Sequence, residues 1–205
     1  KYFDSKYPLP KLDNIGVPNA FSGFGAMENW GAITYIESEL LFDPATGSQA
    51  NKELIFKFIA HEVAHQWFGN LVTMAWWDNL WLNEGFASWL ETKTTDALNP
   101  EWQVWMRANN DKETAMKLDA QDSTHPILQN IANEGQAANG FDTISYLKGQ
   151  SFLRMLESFL GEADFRDGIR LVMVKPNSSC ARIGSRRIIK PLPTIRGKFP
   201  SSMHA

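Results

Sequence analysis

Two histidines four residues apart, His61 and His65, and a glutamate that follows after eighteen intervening residues, Glu84, constrain this chain more than any other feature. Four residues is close to one helical turn, so two such imidazoles on a helix share a face. Glu62 stands between them, turned about 100° around the axis from His61. For Glu84 to reach the same point, the next helix has to lie against the first. Two imidazoles and one carboxylate are the ligand set of a catalytic zinc that keeps its fourth position for water. The carboxylate beside a ligand, Glu62, is then placed to take a proton from that water and pass it to a leaving amine. A His-Glu-x-x-His helix used in this way is a metalloprotease motif.

The competing explanation is coincidence: two histidines that fell at this spacing, and a Glu84 that only partners a helix dipole. Against it stand a helix-compatible setting and just two further histidines in the chain. Glu84 also lies in Leu-Trp-Leu-Asn-Glu-Gly-Phe-Ala-Ser-Trp, whose apolar neighbours would bury it, and a buried carboxylate needs a cation.

The surrounding pattern predicts a short β-containing N-terminal part followed by helices, an α+β, mostly helical class. Residues 1–20 carry Pro8, Pro10 and Pro18 and read as extended and turn-rich. Phe21–Gly25 is glycine-punctuated, and Gly31–Glu37 has the β-branched and aromatic content of a strand. Ser48 is an N-cap candidate for a helix over 52–68, with Leu54 and Phe58 on the stripe of His61 and His65 and Gly69 as its stop. Further helices are expected over 80–97, 101–118, 141–160 and 162–174. Trp102, Trp105 and Met106 form the apolar side of the third helix. Ile144, Phe152, Leu153, Leu156, Phe159 and Leu160 form the buried side of the fourth.

Three separated segments then resemble one family. His61-Glu62-Val63-Ala64-His65 with Glu84, joined through Gly69–Met74, Trp76-Trp77 and Leu80–Ala87, is similar to the gluzincin zinc aminopeptidases of the aminopeptidase N and puromycin-sensitive type. Gly25-Ala26-Met27-Glu28-Asn29 matches the family's exopeptidase motif, and Ser145–Gly149 its catalytic-tyrosine segment. The resemblance covers about residues 1–172 and implies a thermolysin-like zinc metallopeptidase catalytic domain. It implies one Zn2+ held by His61, His65 and Glu84, with Glu62 and Tyr146 catalytic. The Tyr146 phenol would donate to the developing oxyanion. Glu28 would bind the free α-amine of the substrate, and the backbone of Gly25 and Ala26 would pair with it as an added strand. Met27 would line the first side-chain pocket and Asn29 completes the substrate-binding motif. At Asp78-Asn79 the acid comes first, where the family has it second, which would alter a hydrogen bond behind the ligands. An epoxide-hydrolase-type relative would carry Gly-Gly-Met-Glu-Asn, and Ala26 leans against it. A zinc-binding but catalytically incompetent fragment remains the other alternative.

Charge divides the chain. Of its 20 basic and 23 acidic residues, seven basic and no acidic ones lie in 175–205, leaving 1–174 with 13 and 23, a balance of −10. The expected division is a partial catalytic domain over 1–174 and a basic, proline-interrupted tail over 175–205 outside the family fold. Neither aromatic nor glycine patterning accompanies the tail's charge, so no nucleic-acid partner is expected. No apolar run of membrane-spanning length occurs. The expected partners are peptides with a free N-terminus and the flanking domains that the family has and this chain lacks. The single cysteine, Cys180, excludes an intrachain disulfide and suits a cytoplasmic setting.

Overall fold

Ser48 starts the element that carries the histidines. Its hydroxyl accepts from the Asn51 N–H while the Asn51 side chain accepts from the Ser48 N–H, a reciprocal cap that satisfies two otherwise orphaned donors. Helix α1 therefore begins early and spans Gln49–His65, stopping three residues short of the expected end. The computed structural model describes residues 2–18, 25–173 and 181–183. Residues 19–24, which include most of the glycine-punctuated Phe21–Gly25, and most of the 175–205 tail lie outside the described residues.

Ahead of α1 stands a three-stranded sheet. Its strands are β1 (Asp13–Val17), β2 (Ala26–Met27) and β3 (Ala32–Ile36), in the order β1-β3-β2. The expected strand is β3, buried at Ile33 and Tyr35 and less so at the residues between, which is the two-residue alternation of a half-buried strand. β1 pairs with it in parallel from Asp13↔Ala32 to Val17↔Ile36, inside a stretch expected to be merely extended. β2 pairs with it antiparallel at Ala26↔Tyr35 and Met27↔Thr34 and forms the outer strand.

After α1 come β4 (Val72–Met74), α2 (Leu80–Leu98), α3 (Val104–Asp119), the short α4 (Glu134–Ala137), a π-helical turn (Ile144–Lys148), α5 (Gly149–Leu160) and α6 (Glu162–Met173). The expected helices are thus present, and the mostly helical α+β class with its sheet in the N-terminal part describes the fold. Gly161, at φ +86°, takes the left-handed conformation that ends α5. A further strand, β5 (Ala181–Ile183), pairs in parallel with β4.

The core lies between α1, α2, α5 and α6, around Phe68, Val72, Ala87, Trp89, Leu153 and Phe165. Phe68 and Phe86 stack with centroids 4.2 Å apart, and Tyr2 and Phe3 fold back onto Trp89 and Phe68. Each large side chain buried here contributes on the order of 1.5–3 kcal/mol. One expectation of burial fails in part: Phe152 and Phe159 on α5 are 45% and 66% exposed. Ile144 and Leu153 of the same expected face are buried, and the Phe152 ring meets Trp81 edge-on with centroids 6.0 Å apart. Met106, on the apolar side of α3, is 67% exposed. Among the described residues, no helix is long and apolar enough to cross a membrane.

Candidate metal centre

Packing of α2 across α1 brings His61, His65 and Glu84 together in the interior. The two Nε2 atoms lie 3.0 Å apart, and the Glu84 Oε2 lies 3.4 Å from each. Three ligand atoms each about 2.0–2.2 Å from one tetrahedral ion stand roughly 3.3–3.6 Å from one another, so the two 3.4 Å spacings suit a single ion and the 3.0 Å between the imidazoles is slightly tighter. Hydrogen bonding behind the rings is more telling. His65 Nδ1 donates to the Phe68 carbonyl at 2.9 Å, and His61 Nδ1 donates to the Glu91 carboxylate at 3.1 Å. A carbonyl and a carboxylate can only accept, so both Nδ1 atoms carry protons. In the neutral rings both Nε2 lone pairs then face each other and a carboxylate oxygen. Three acceptors that converge in this way, none able to donate to another, call for a cation, either a proton or a metal ion.

The electrostatics of these side chains show the same demand. Burial opposes charging His61, but hydrogen bonds and charge from Glu84 and Glu91 outweigh it and push its pKa up to about 10. Burial likewise opposes charging His65, and the Glu84 carboxylate again prevails and raises it. Burial would raise Glu84, yet the two histidines hold it well below the usual carboxylate range. Burial raises Glu62 to about 7, against the pull of the histidines and with help from the charges of Glu28 and Glu84. Among the described residues its Oε2 is buried with no hydrogen-bond partner. An orphaned carboxylate oxygen with a pKa near neutrality suits an exchangeable proton.

Glu28 joins this group from the sheet side. One carboxylate oxygen each from Glu28 and Glu62 and one His65 ring nitrogen all fall within 4.8 Å of one another. The Tyr146 ring lies on the other side, stacked on His61 with centroids 5.9 Å apart and planes inclined by 17°. Burial, then the Glu84 charge, raises the phenol far above its ordinary value, so it keeps its proton. Gly25, Ala26, His61, Glu62 and Tyr146 line one cavity of about 370 Å³, with Phe58 forming part of its apolar wall. Met27 and Glu28 line a second cavity of about 340 Å³ with Trp76, Trp77 and Phe141. Asn29 is the exception: its side-chain amide donates to Thr34 Oγ1 at 3.1 Å and its carbonyl accepts from Ala32, which holds the turn into β3.

Two glycines allow the close approaches. Gly69 has φ +127°, and a Cβ there would stand 2.3 Å from Asn83 Oδ1 and 3.2 Å from His65 Nδ1. Asn83 Nδ2 in turn donates to Glu84 Oε1 at 3.2 Å. At Gly85 a Cβ would lie 3.0 Å from the Gly149 Cα, so α2 and the Tyr146 turn meet backbone to backbone. Asp78 is bonded to another segment: its Oδ1 accepts from Ile131 N–H at 2.8 Å and its carbonyl from Gln129, which anchors the loop before the Tyr146 turn.

Glu91 is the site residue that sequence reasoning missed. It couples His61 to Lys57, whose Nζ lies 3.0 Å from its Oε1. The available signal was its position seven residues after Glu84, two turns along the same face of α2.

Comparison with known proteins follows the same lines. A model of the peptidase family M1 domain matches residues 1–184. Aminopeptidase M1-C of Oryza sativa subsp. japonica is 47% identical over 168 residues, which is 82% of this chain and 19% of that protein. Aminopeptidase N of Homo sapiens is 50% identical over 172 residues, 82% of this chain and 18% of that protein. Endoplasmic reticulum aminopeptidase 2 of Bos taurus is 50% identical over 168 residues, with shares of 82% and 17%. The chain spans about a fifth of the length of these relatives.

Proposed function

This chain belongs to peptidase family M1, and on that footing we propose that it is the catalytic segment of a zinc aminopeptidase that removes the N-terminal residue of peptides. The reading includes a thermolysin-like catalytic domain with His61, His65 and Glu84 as the zinc ligands. It rests chiefly on the two Nδ1 donors, fixed by Phe68 and Glu91 so that both Nε2 lone pairs turn toward Glu84. Zinc, when bound, supplies a Lewis acid that brings the pKa of water down toward about 7.

The chain's own residues divide the remaining work. Glu62, with a pKa raised to about 7, accepts a proton at the free Oε2 and later returns it to the leaving amine. Tyr146, held protonated, donates its phenol hydrogen to the oxyanion that develops as the peptide carbonyl is attacked. Glu28 receives the substrate's ammonium group. Arrival of that cation offsets one of the negative charges that raise Glu62, which lowers its pKa and keeps the carboxylate ionised, ready to act as the base while substrate is bound. Among the described residues β2 is an outer strand, so its edge is available to an extended peptide running past Gly25 and Ala26.

The test pairs zinc content with hydrolysis of an aminoacyl anilide. Glu62→Gln should keep stoichiometric zinc and lose about 10²–10⁴-fold in turnover, the range of a positioned acid-base group. Stoichiometric zinc with no turnover in the unmodified chain would favour the binding-only alternative. Loss of zinc in Glu62→Gln would remove Glu62 from its role.

A further inference from the structure

The carbonyl of Glu28 receives two side-chain amides from the far end of the histidine helix. Gln66 Nε2 donates to it at 3.2 Å and Asn70 Nδ2 at 2.7 Å. Gln66 is completely buried and its amide bridges three segments: the same Nε2 reaches the Glu62 carbonyl at 3.3 Å, and its Oε1 accepts from the Gly31 N–H at 3.4 Å. The backbone N–H of Asn70 donates to the carbonyl of His65 at 3.0 Å. Both amides are therefore fixed to the turn that carries Glu62 and His65. This matters because the sheet stops holding the chain just here. β2 pairs with β3 only at Ala26 and Met27, and the next backbone bond on this side is the turn contact from Ala32 to Asn29. Glu28 falls between the two.

We propose that Gln66 and Asn70 are positioning residues that clamp the Glu28 backbone and so set the distance between the amine-recognising carboxylate and the reaction centre. The proposal rests on the reading of Glu28 as the amine anchor. A carbonyl has two lone pairs, and here both are taken by amides attached to the metal-bearing helix, so Glu28 cannot shift without breaking one of them. A displacement of about 1 Å is enough to cost a positioned group much of its effect. The clamp thereby turns a carboxylate in a short, weakly paired strand into a fixed ruler: a free amine at Glu28 places the first peptide bond, and no later one, at Glu62 and Tyr146.

The test compares leucine hydroxamate with its N-acetylated form, both bound to the zinc-loaded protein and measured by calorimetry. The hydroxamate group keeps the blocked ligand's affinity measurable, so the ratio of dissociation constants reports recognition of the amine alone. Gln66→Met and Asn70→Leu should each narrow the preference for the free amine about tenfold, with zinc stoichiometry unchanged and the double variant approaching Glu28→Gln. A purely structural role would lower the melting temperature and weaken both ligands alike, leaving the ratio intact, and that result in folded, zinc-replete variants overturns the clamp. If Glu28→Gln itself leaves the ratio intact, the amine-anchor reading falls and the clamp with it. If Glu28→Gln abolishes the preference while the amide variants retain it, only the clamp falls. Should the buried Gln66 variant fail to fold, the half-buried Asn70 variant decides alone.

Discussion

Replacing Gly85 by alanine sets two effects of opposite sign against each other. Within a helix the change favours folding by up to about 1 kcal/mol, because glycine is the costlier residue there. Against that, the new Cβ would stand 3.0 Å from the Gly149 Cα, 3.1 Å from its carbonyl carbon and 3.3 Å from the Ser145 carbonyl oxygen. All three are backbone atoms and cannot rotate away. Ordinary carbon–carbon contacts lie near 3.5–4.0 Å, so the π-helical turn has to retreat by roughly 0.5–1 Å, at a typical overpacking cost of about 1–3 kcal/mol. The net loss of stability is then about 0–2 kcal/mol, or a fall of several degrees at most in melting temperature. Tyr146 rides on the turn that moves, and a misplacement of that size costs on the order of 10²-fold in turnover. The expected result is a folded protein with stoichiometric zinc and a turnover number about a hundredfold lower on an aminoacyl anilide. Calorimetric melting, zinc content and kcat measured together check it. Turnover within threefold of the unmodified protein, with zinc retained, would refute the argument that this backbone contact fixes the tyrosine. Loss of zinc would shift the effect to the neighbouring Glu84.

Two further outcomes follow from the groups behind the site. Glu91→Gln removes the charge that orients His61 and should weaken zinc affinity about 10–100-fold in chelator competition, the usual cost of losing a partner behind a ligand; a change under threefold would leave Glu91 without that role. His125 donates to Asp142 at 2.6 Å. Burial works against its charge, but the Pro126 carbonyl and the Asp142 carboxylate raise its pKa overall. A raised folded pKa means that its contribution is complete below about pH 6.5, the ordinary value for histidine, and is lost as pH climbs through the folded value. The melting-temperature gap between the unmodified protein and His125→Gln, about 2 °C or less for so exposed a pair, should therefore shrink from pH 6 to pH 9. A gap that widens over that range contradicts the assigned sign.

The sequence made local features legible where one residue type had one physical use. Ser48 could be read as a cap because only a few side chains satisfy the first turn of a helix, and the structure shows it bonded to Asn51. His61 and His65 could be read together because helical spacing sets which side chains share a face, and Glu84 because its apolar surroundings would bury a carboxylate that then needs a cation. Pairings between distant segments were not legible. Nothing in Asp13–Val17 announces a parallel partner nineteen residues later, since the register is fixed by packing on β3 rather than by any local signal. Phe152 and Phe159 mark a second limit: helical periodicity groups residues on a face without saying what, if anything, covers it. Glu91 illustrates a third. A glutamate on a helix is ordinary, and its importance becomes visible only once Lys57 and His61 are seen on either side of it.

The π-helical turn over Ile144–Lys148 has a consequence for how such a protein can lose its chemistry. A π turn holds one residue more than an α turn, and such insertions persist mostly where they aim a side chain. Deleting Leu147 or Lys148 from this turn would let it relax into regular α-helix while rotating what precedes the cut by about 100° relative to α5. Tyr146 would swing off the face that meets His61, yet the ligands, their partners and the helix packing would all remain. One codon lost in frame would thus leave the candidate ligands in place and displace the tyrosine, so the proposed chemistry could vanish without any change in the core.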